Sequence, residues 1–349
     1  MTGACAGTFG REIARIRKNL EFPKIYFDME TGSSRNSPRI LLIGEEAAGA
    51  RALRALAQSS CEIVAVMTSA ADESRGTASL AATARELGCM IWPARAVKDP
   101  EFARTVRSAE VDIILNVHSL YVIPAPILQA ARIGAFNLHP GPLPQYAGLN
   151  TVSWAIYRGE TTYGVTIHWM VPEIDAGEIA YQATFSIEET DTPVLLTHKC
   201  VRAGLTLISE LLNTAAASPN AIPRLQQDLA KRRYFGKQVP EEGRLSWNRP
   251  AREVVNFVRA CEYWPYRSPW DHPKFSLGDR EIGIAKAART YRQRDGTPGT
   301  IGPADESGVL VAAKDEWVSV RRLLIDDRFV NPQTVLKPGI LLYPGFRTQ

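Results

Sequence analysis

The chain has 349 residues, enough for about two domains, each able to bury a core without disulfides or a structural metal. Hydrophobic residues make up 45% of it and charged residues 22%, which excludes a disordered or fibrous chain, and no run approaches the length of a membrane-crossing helix. The net charge of +4 is uneven: residues 231–349 hold 21 Lys and Arg against 14 Asp and Glu, a mild basic excess that suits an anionic partner without demanding nucleic acid.

Residues 1–38 read as an extension, with a short basic helix over 9–20 and a linker composition over 31–38. From Arg39 the pattern becomes regular. Short apolar runs at 39–44, 62–68, 89–92, 111–117 and 134–139 predict buried strands, and 47–58, 79–87 and 100–108 predict helices between them. Such alternation predicts a doubly wound, mostly parallel Rossmann-like sheet, with ligands at the carboxyl ends of its strands. The turn after the first strand reads GEEAAG rather than GxGxxG, and two glutamates stand where a pyrophosphate would need backbone amides, so no nicotinamide cofactor is expected.

Beyond Tyr163 the texture changes. Residues 163–170 and 178–187 predict an antiparallel pair, followed by a helix over 194–212 with Asp191 or Thr192 as N-cap and Pro193 at its first position. Residues 215–245, rich in Ala, Pro and Arg, predict a long linker. Asn248, Arg249 and Pro250 then open a helix to about Cys261, around which Trp247, Trp264, Tyr266 and Trp270 are expected to gather as an interdomain core. Short strands punctuated by Gly and Pro from Lys274 onward predict a small, OB-like β-barrel. The division is thus a catalytic unit over 39–214, a linker over 215–245 and a C-terminal unit over 246–349.

Cysteines at 5, 61, 89, 200 and 261 have neither disulfide nor zinc spacing, and there is no HxxxH or carboxylate cluster, so no metal is expected. The first ten residues lack the basic and apolar regions of a secretory signal, which predicts reduced thiols and a cytoplasmic location.

The stretch with chemistry in it is Phe136, Asn137, Leu138, His139 and the proline-rich run over 140–144. Asn137 and His139 are two apart on a strand, so they share a face at its carboxyl end. Prolines at 140, 142 and 144 restrict the exit from that strand. Asp175 follows 36 residues later, in a turn that ends at Gly177. An amide, an imidazole and a carboxylate form a set able to transfer an acyl group: the imidazole takes a proton from an attacking amine, the carboxylate favours its cation, and the amide donates to a developing oxyanion. Spacing alone leaves the ordinary reading open, a structural histidine and a turn-forming aspartate.

The run NLHPGPLPQYAG, then YGVTIHWM, then IDAGE resembles the signature of the folate-dependent formyltransferase family, which includes methionyl-tRNA formyltransferase and nucleotide-amino-sugar N-formyltransferases. The likeness runs from about Arg39 to Gly204. It resumes at 234–265, which resembles the family's joining segment, and at 297–302, which resembles its C-terminal barrel. By that resemblance Asn137, His139 and Asp175 are the catalytic residues and 10-formyltetrahydrofolate is the donor. The resemblance also implies a pterin against Met90, Ile91 and Trp92, against Asn116, His118, Leu120, Tyr121, Val122 and Ile123, and against the loop with Ile174 and Gly177. His118 reads as an edge of that pocket, and His168, alternating within a strand, ranks below His139 as a base.

The chain departs from its relatives after His139. Where the tRNA and amino-sugar enzymes usually carry arginine, it has Gln145, Tyr146, Ala147 and Gly148, and the 70–77 loop offers Arg75 against Asp72 and Glu73. This argues against nucleic acid and points to a small-molecule amine as acceptor: an amino sugar on a nucleotide, an amino acid or another specialised metabolite. Methionyl-tRNA formylation, hydrolysis of the donor to formate and a catalytically idle folate- or nucleotide-binding module stay open as other readings. No membrane association is expected, and a homodimer is compatible with the sequence.

Overall fold

The computed structural model describes residues 37–69, 79–119 and 121–344. The expectations for 1–36, for the 70–77 loop and for Leu120 fall outside the described residues.

Strands β1 (Arg39–Gly44), β2 (Glu62–Thr68), β3 (Ile91–Pro93), β4 (Ile113–Val117) and β5 (Gly134–His139) pair in parallel in the order β3-β2-β1-β4-β5. Helices α1 (Glu46–Ala57), α2 (Leu80–Glu86), α3 (Phe102–Ser108) and α4 (Ala125–Leu128) make the connections. Alternation along β1 shows why the sheet is covered twice. Ile40 and Leu42 pack into a core shared with Leu53 and Leu56 of α1, while Leu41 and Ile43 enter a second core with Phe102 and Val106 of α3. The strand predicted over 89–92 is shifted: Cys89 and Met90 lie before β3, which ends at Pro93.

The sheet continues with β7 (Thr162–Trp169) antiparallel to β5 and β8 (Ile179–Ser186) antiparallel to β7. Helix α5 (Thr151–Arg158) precedes β7, and α6 (Pro193–Ala217) follows β8. Thr192 is the N-cap of α6, its hydroxyl accepting from the Leu195 N–H at 3.3 Å, and Asp191 instead pairs with Lys199. Helix α6 runs five residues past the predicted end. No described helix is long and apolar enough to cross a membrane.

The segment expected to be a plain linker packs back onto the catalytic unit. Its Leu225 bridges Ile179, and β9 (Tyr234–Phe235) pairs in parallel with β6 (Ala147–Gly148), just beyond the proline-rich loop. Helix α7 (Ala251–Ala260) then packs on α5, with Phe257 edge-on to Tyr157 at 5.2 Å between ring centres. Trp247 and Trp270 are buried there, and Trp270 meets Trp154. Trp264 and Tyr266 are instead exposed, so the expected four-aromatic core is half as large.

The C-terminal strands form an antiparallel sheet: β10 (Lys274–Leu277), β11 (Arg280–Gln293), β12 (Ile301–Asp305), β13 (Gly308–Ala312), β14 (Glu316–Ile325), β15 (Arg328–Val330) and β16 (Tyr343–Pro344). Their order is β12-β13-β14-β11-β10-β16, with β15 on β14, and an antiparallel bridge between Thr300 and Leu341 joins the segments that lead into the two terminal strands, β12 and β16.

Candidate active site

Three neighbouring strands bring polar residues into one row. Register pairs Asn116 of β4 with Asn137 of β5, and Asn137 with His168 of β7. The residues flanking them, Leu115 and Val117, Phe136 and Leu138, and Ile167 and Trp169, point into the core on the opposite face. Strand alternation therefore leaves Asn116, Asn137, His139 and His168 on a common face near the carboxyl ends of the parallel strands.

The row is hydrogen-bonded along its length. Asn116 Nδ2 donates to Asn137 Oδ1 at 2.8 Å, and Asn137 Nδ2 lies 3.1 Å from His168 Nε2 and 3.4 Å from Asp175 Oδ1. With His168 Nδ1 donating to the Trp169 carbonyl at 2.8 Å, its Nε2 is the acceptor for Asn137. Asp175 closes the group, receiving the Gly148 N–H on Oδ2 at 2.8 Å and standing 3.5 Å from His139 Nδ1 and 3.4 Å from His168 Nε2. His139 Nε2 is 2.5 Å from the Tyr146 carbonyl, which requires its proton there and leaves the Nδ1 lone pair toward Asp175.

All of this is nearly dry: His139, His168 and Asp175 are 4%, 2% and 6% exposed. Burial opposes the Asp175 charge, but His139 beside it, once protonated, and the Gly148 N–H outweigh that and take the carboxyl down to about 2. Burial dominates at His139 and lowers its pKa despite Asp175, so at neutral pH a neutral imidazole faces a carboxylate. Burial also lowers the pKa of His118, against a rise from Glu46.

The proline-rich exit from β5 is pinned rather than merely stiff. Thr166 Oγ1 donates to the Gly141 carbonyl, Gln182 Nε2 to the Leu143 carbonyl, and Thr151 Oγ1 and the Tyr163 hydroxyl to the Pro140 carbonyl. Tyr146 stacks on Phe235 of β9 at 5.3 Å and bonds Glu160 through its hydroxyl. At the β1 turn, Glu45 is buried and accepts from the Ser69 N–H and hydroxyl and from Thr68.

The sequence family described as formyl transferase matches residues 38–212, and that described as the formyl transferase C-terminal domain matches 237–336. The chain belongs to the formyl transferase family.

Solved structures with the same fold are distant in sequence. One is WlaRD, a sugar 3N-formyltransferase crystallised with dTDP and 5-N-formyl-THF: 19% identical, covering 81% of this chain and 97% of that one, at a TM-score of 0.64. An N-formyltransferase from Helicobacter canadensis, with folinic acid and dTDP-3-aminofucose, is 17% identical, covering 81% and 99%, at 0.63. HypX from Aquifex aeolicus with tetrahydrofolic acid is 17% identical, covering 85% of this chain and 46% of that one, at 0.55.

In this formyltransferase the structure brings Asn137 and His139 each within 3.5 Å of Asp175, with Asn116 bonded to Asn137 and His118 following β4. It adds His168, which strand alternation had ranked low. The signal that could have found it is the cross-strand register, which sets His168 opposite Asn137. The folate candidates divide. Val122 and Ile174 are exposed apolar residues and Tyr121 is half-buried, whereas Ile123 is buried in the core on the α3 side of the sheet. Met90, Ile91 and Trp92 sit at or before β3, with β2, β1 and β4 between them and β5, and Trp92 is buried against Phe102. Gly177 is where the Asp175 loop passes closest to the sheet, since a Cβ there would lie 1.8 Å from the Trp169 carbonyl oxygen. Among the described residues no group of His, Cys, Asp and Glu could hold a metal.

Proposed function

We propose that this formyltransferase moves the formyl group of 10-formyltetrahydrofolate onto the amine of a small molecule, an amino sugar carried on a nucleotide being the acceptor class that fits best. The observation that carries this reading is that Asn137 and buried His139 both reach the buried Asp175 carboxylate at the strand ends. Support for the donor and acceptor classes comes from the distant relatives that were crystallised with folates and with dTDP or dTDP-3-aminofucose.

A folate donor suits the residues present. Asn116 Oδ1 is buried without a hydrogen-bond partner among the described residues, an acceptor awaiting a donor group such as a pterin N–H. Val122 and Ile174 supply exposed apolar surface of the kind a flat ring covers. Met90, Ile91 and Trp92 are the weaker part of the proposed folate site, because β3 is remote from Asn137.

Each residue then has a task. Asn137 donates through Nδ2 to the formyl oxygen as charge gathers on it, giving up its long contact to Asp175. His139 accepts at Nδ1 the proton that the attacking amine loses, and returns it to the folate nitrogen as the carbon–nitrogen bond to the formyl group breaks. Asp175, already ionised, balances the imidazolium while it lasts. His168 keeps the Asn137 amide turned the right way by accepting from it.

The test is a panel of amines, including dTDP-3-aminofucose, free amino acids and a charged initiator tRNA, incubated with 10-formyltetrahydrofolate and read by product mass. Formylation of a nucleotide amino sugar is expected. Formylation of the tRNA alone, with an affinity that falls steeply with salt, would overturn the acceptor class; formate release without any amine would make the protein a hydrolase.

A further inference from the structure

Asp175 takes a left-handed backbone, one that aspartate tolerates better than most side chains do. Its φ is +54°, in the left-handed region that non-glycine residues enter at a cost, and such a residue persists where its surroundings hold it. The support comes from the segment after α6. Gln227 Nε2 donates to the Asp175 carbonyl at 3.0 Å and to the Gly177 carbonyl at 2.6 Å, so one amide spans the residue and its turn. Arg232 Nη2 donates to the Ile174 carbonyl at 2.7 Å. The same segment is itself anchored: Leu225 exchanges two backbone hydrogen bonds with Ile179, and the Pro223 carbonyl accepts from the Trp169 indole.

We propose that Gln227 is the positioning residue of Asp175, holding from outside the catalytic strands the loop conformation that aims the carboxylate at His139 and His168. It touches no reacting atom and acts through two main-chain carbonyls. This rests on the reading of Asp175 given above. Both donors of the Gln227 amide are committed to the loop, while its Oε1 is buried without a partner among the described residues. A side chain that merely filled space would incur that cost without return. Substitution by glutamate keeps the shape but sets a carboxylate against two carbonyl oxygens, so shape alone does not restore the grip.

The titration of His139 separates this role from simple stabilisation. The groups around that imidazole are Asp175 from the loop, His168 from β7, His118 after β4 and the Tyr146 carbonyl, and of these the carboxylate favours the charged ring. Letting the carboxylate swing away removes that support, and His139 then titrates at lower pH.

The experiment uses the full chain as wild type, Gln227→Ala, Gln227→Glu, Asp175→Asn and the Gln227→Ala/Asp175→Asn double variant. His139 is followed by imidazole NMR, and turnover is measured with 10-formyltetrahydrofolate and dTDP-3-aminofucose. Both Gln227 variants are expected to shift the His139 titration downward, in the same direction as Asp175→Asn. They should lower kcat on the order of 100-fold, the scale of an ångström of misplacement, with little change in KM for the donor. The double variant should be no worse than Asp175→Asn. A lowered unfolding temperature with the titration and kcat unmoved would overturn the proposal, as would losses that multiply in the double variant. Should Asp175→Asn keep full turnover, the catalytic reading of Asp175 fails, while the titration still reports whether Gln227 holds the carboxylate.

Discussion

A neutral imidazole 3.5 Å from an ionised carboxylate, both cut off from water, is a base whose conjugate acid is stabilised before it forms. The sign of its pH dependence follows. As the proposed base His139 must be unprotonated, and burial places its pKa below the ordinary 6.5, so kcat/KM should fall on acidification along a limb that lies below pH 6.5. A pH–rate profile measures it. Stability should fall in the same direction. Unfolding releases buried neutral histidines to take protons once the pH drops below 6.5. Asp175, held at about 2 against an ordinary 3.8, contributes roughly 2 kcal/mol that is present above pH 4 and lost as the pH falls through 2. Urea midpoints across that range should show both steps, and Asp175→Asn should flatten the lower one. Truncating Asn137 to alanine removes the proposed oxyanion donor and should cost on the order of 3 kcal/mol in the barrier, read as kcat. At this scale the sequence was informative because polar residues interrupt apolar strands at 116, 137 and 139. His168 was ranked too low because its place depends on which strand pairs with which, and that is not a property of any one strand.

Between residues and the whole lies the clasp of β6 and β9. Gly148 has φ +95°, and a Cβ there would lie 2.2 Å from the Phe235 carbonyl oxygen. The same glycine's N–H binds Asp175, so one residue joins the clasp to the site. Gly148→Ala should therefore part the two strands, destabilise the fold by about 2 kcal/mol or more in urea denaturation and lower turnover as well. The parallel strands and helices α1, α2, α3, α6 and α7 were readable from periodicity and capping, whereas the short helices α4 and α5 were not read. The clasp was not: Ala147–Gly148 and Tyr234–Phe235 are two-residue strands with no period, and residues 215–245 have the composition of a connection. What their composition hides is that the side chains of Gln227 and Arg232 serve the Asp175 loop through its carbonyls, which leave no trace in that loop's own sequence.

For the molecule as a whole, alternating strands and helices made the doubly wound sheet legible, whereas closure of the C-terminal strands depends on pairings between distant segments that local pattern does not specify. The two regions are joined by α7 against α5, where Phe257 packs on Tyr157 and Trp270 on Trp154. Phe257→Ala should cost about 3–5 kcal/mol, the usual cost of a buried phenylalanine, measured by chemical denaturation. The account as a whole stands on His139 as the proton acceptor in a site that also holds the folate. Its most direct test is to measure folate binding by calorimetry and formyl transfer by product mass on the same preparation of His139→Ala. The expected result is donor affinity near that of the wild type with turnover lower by orders of magnitude; turnover close to wild type in that variant would contradict it.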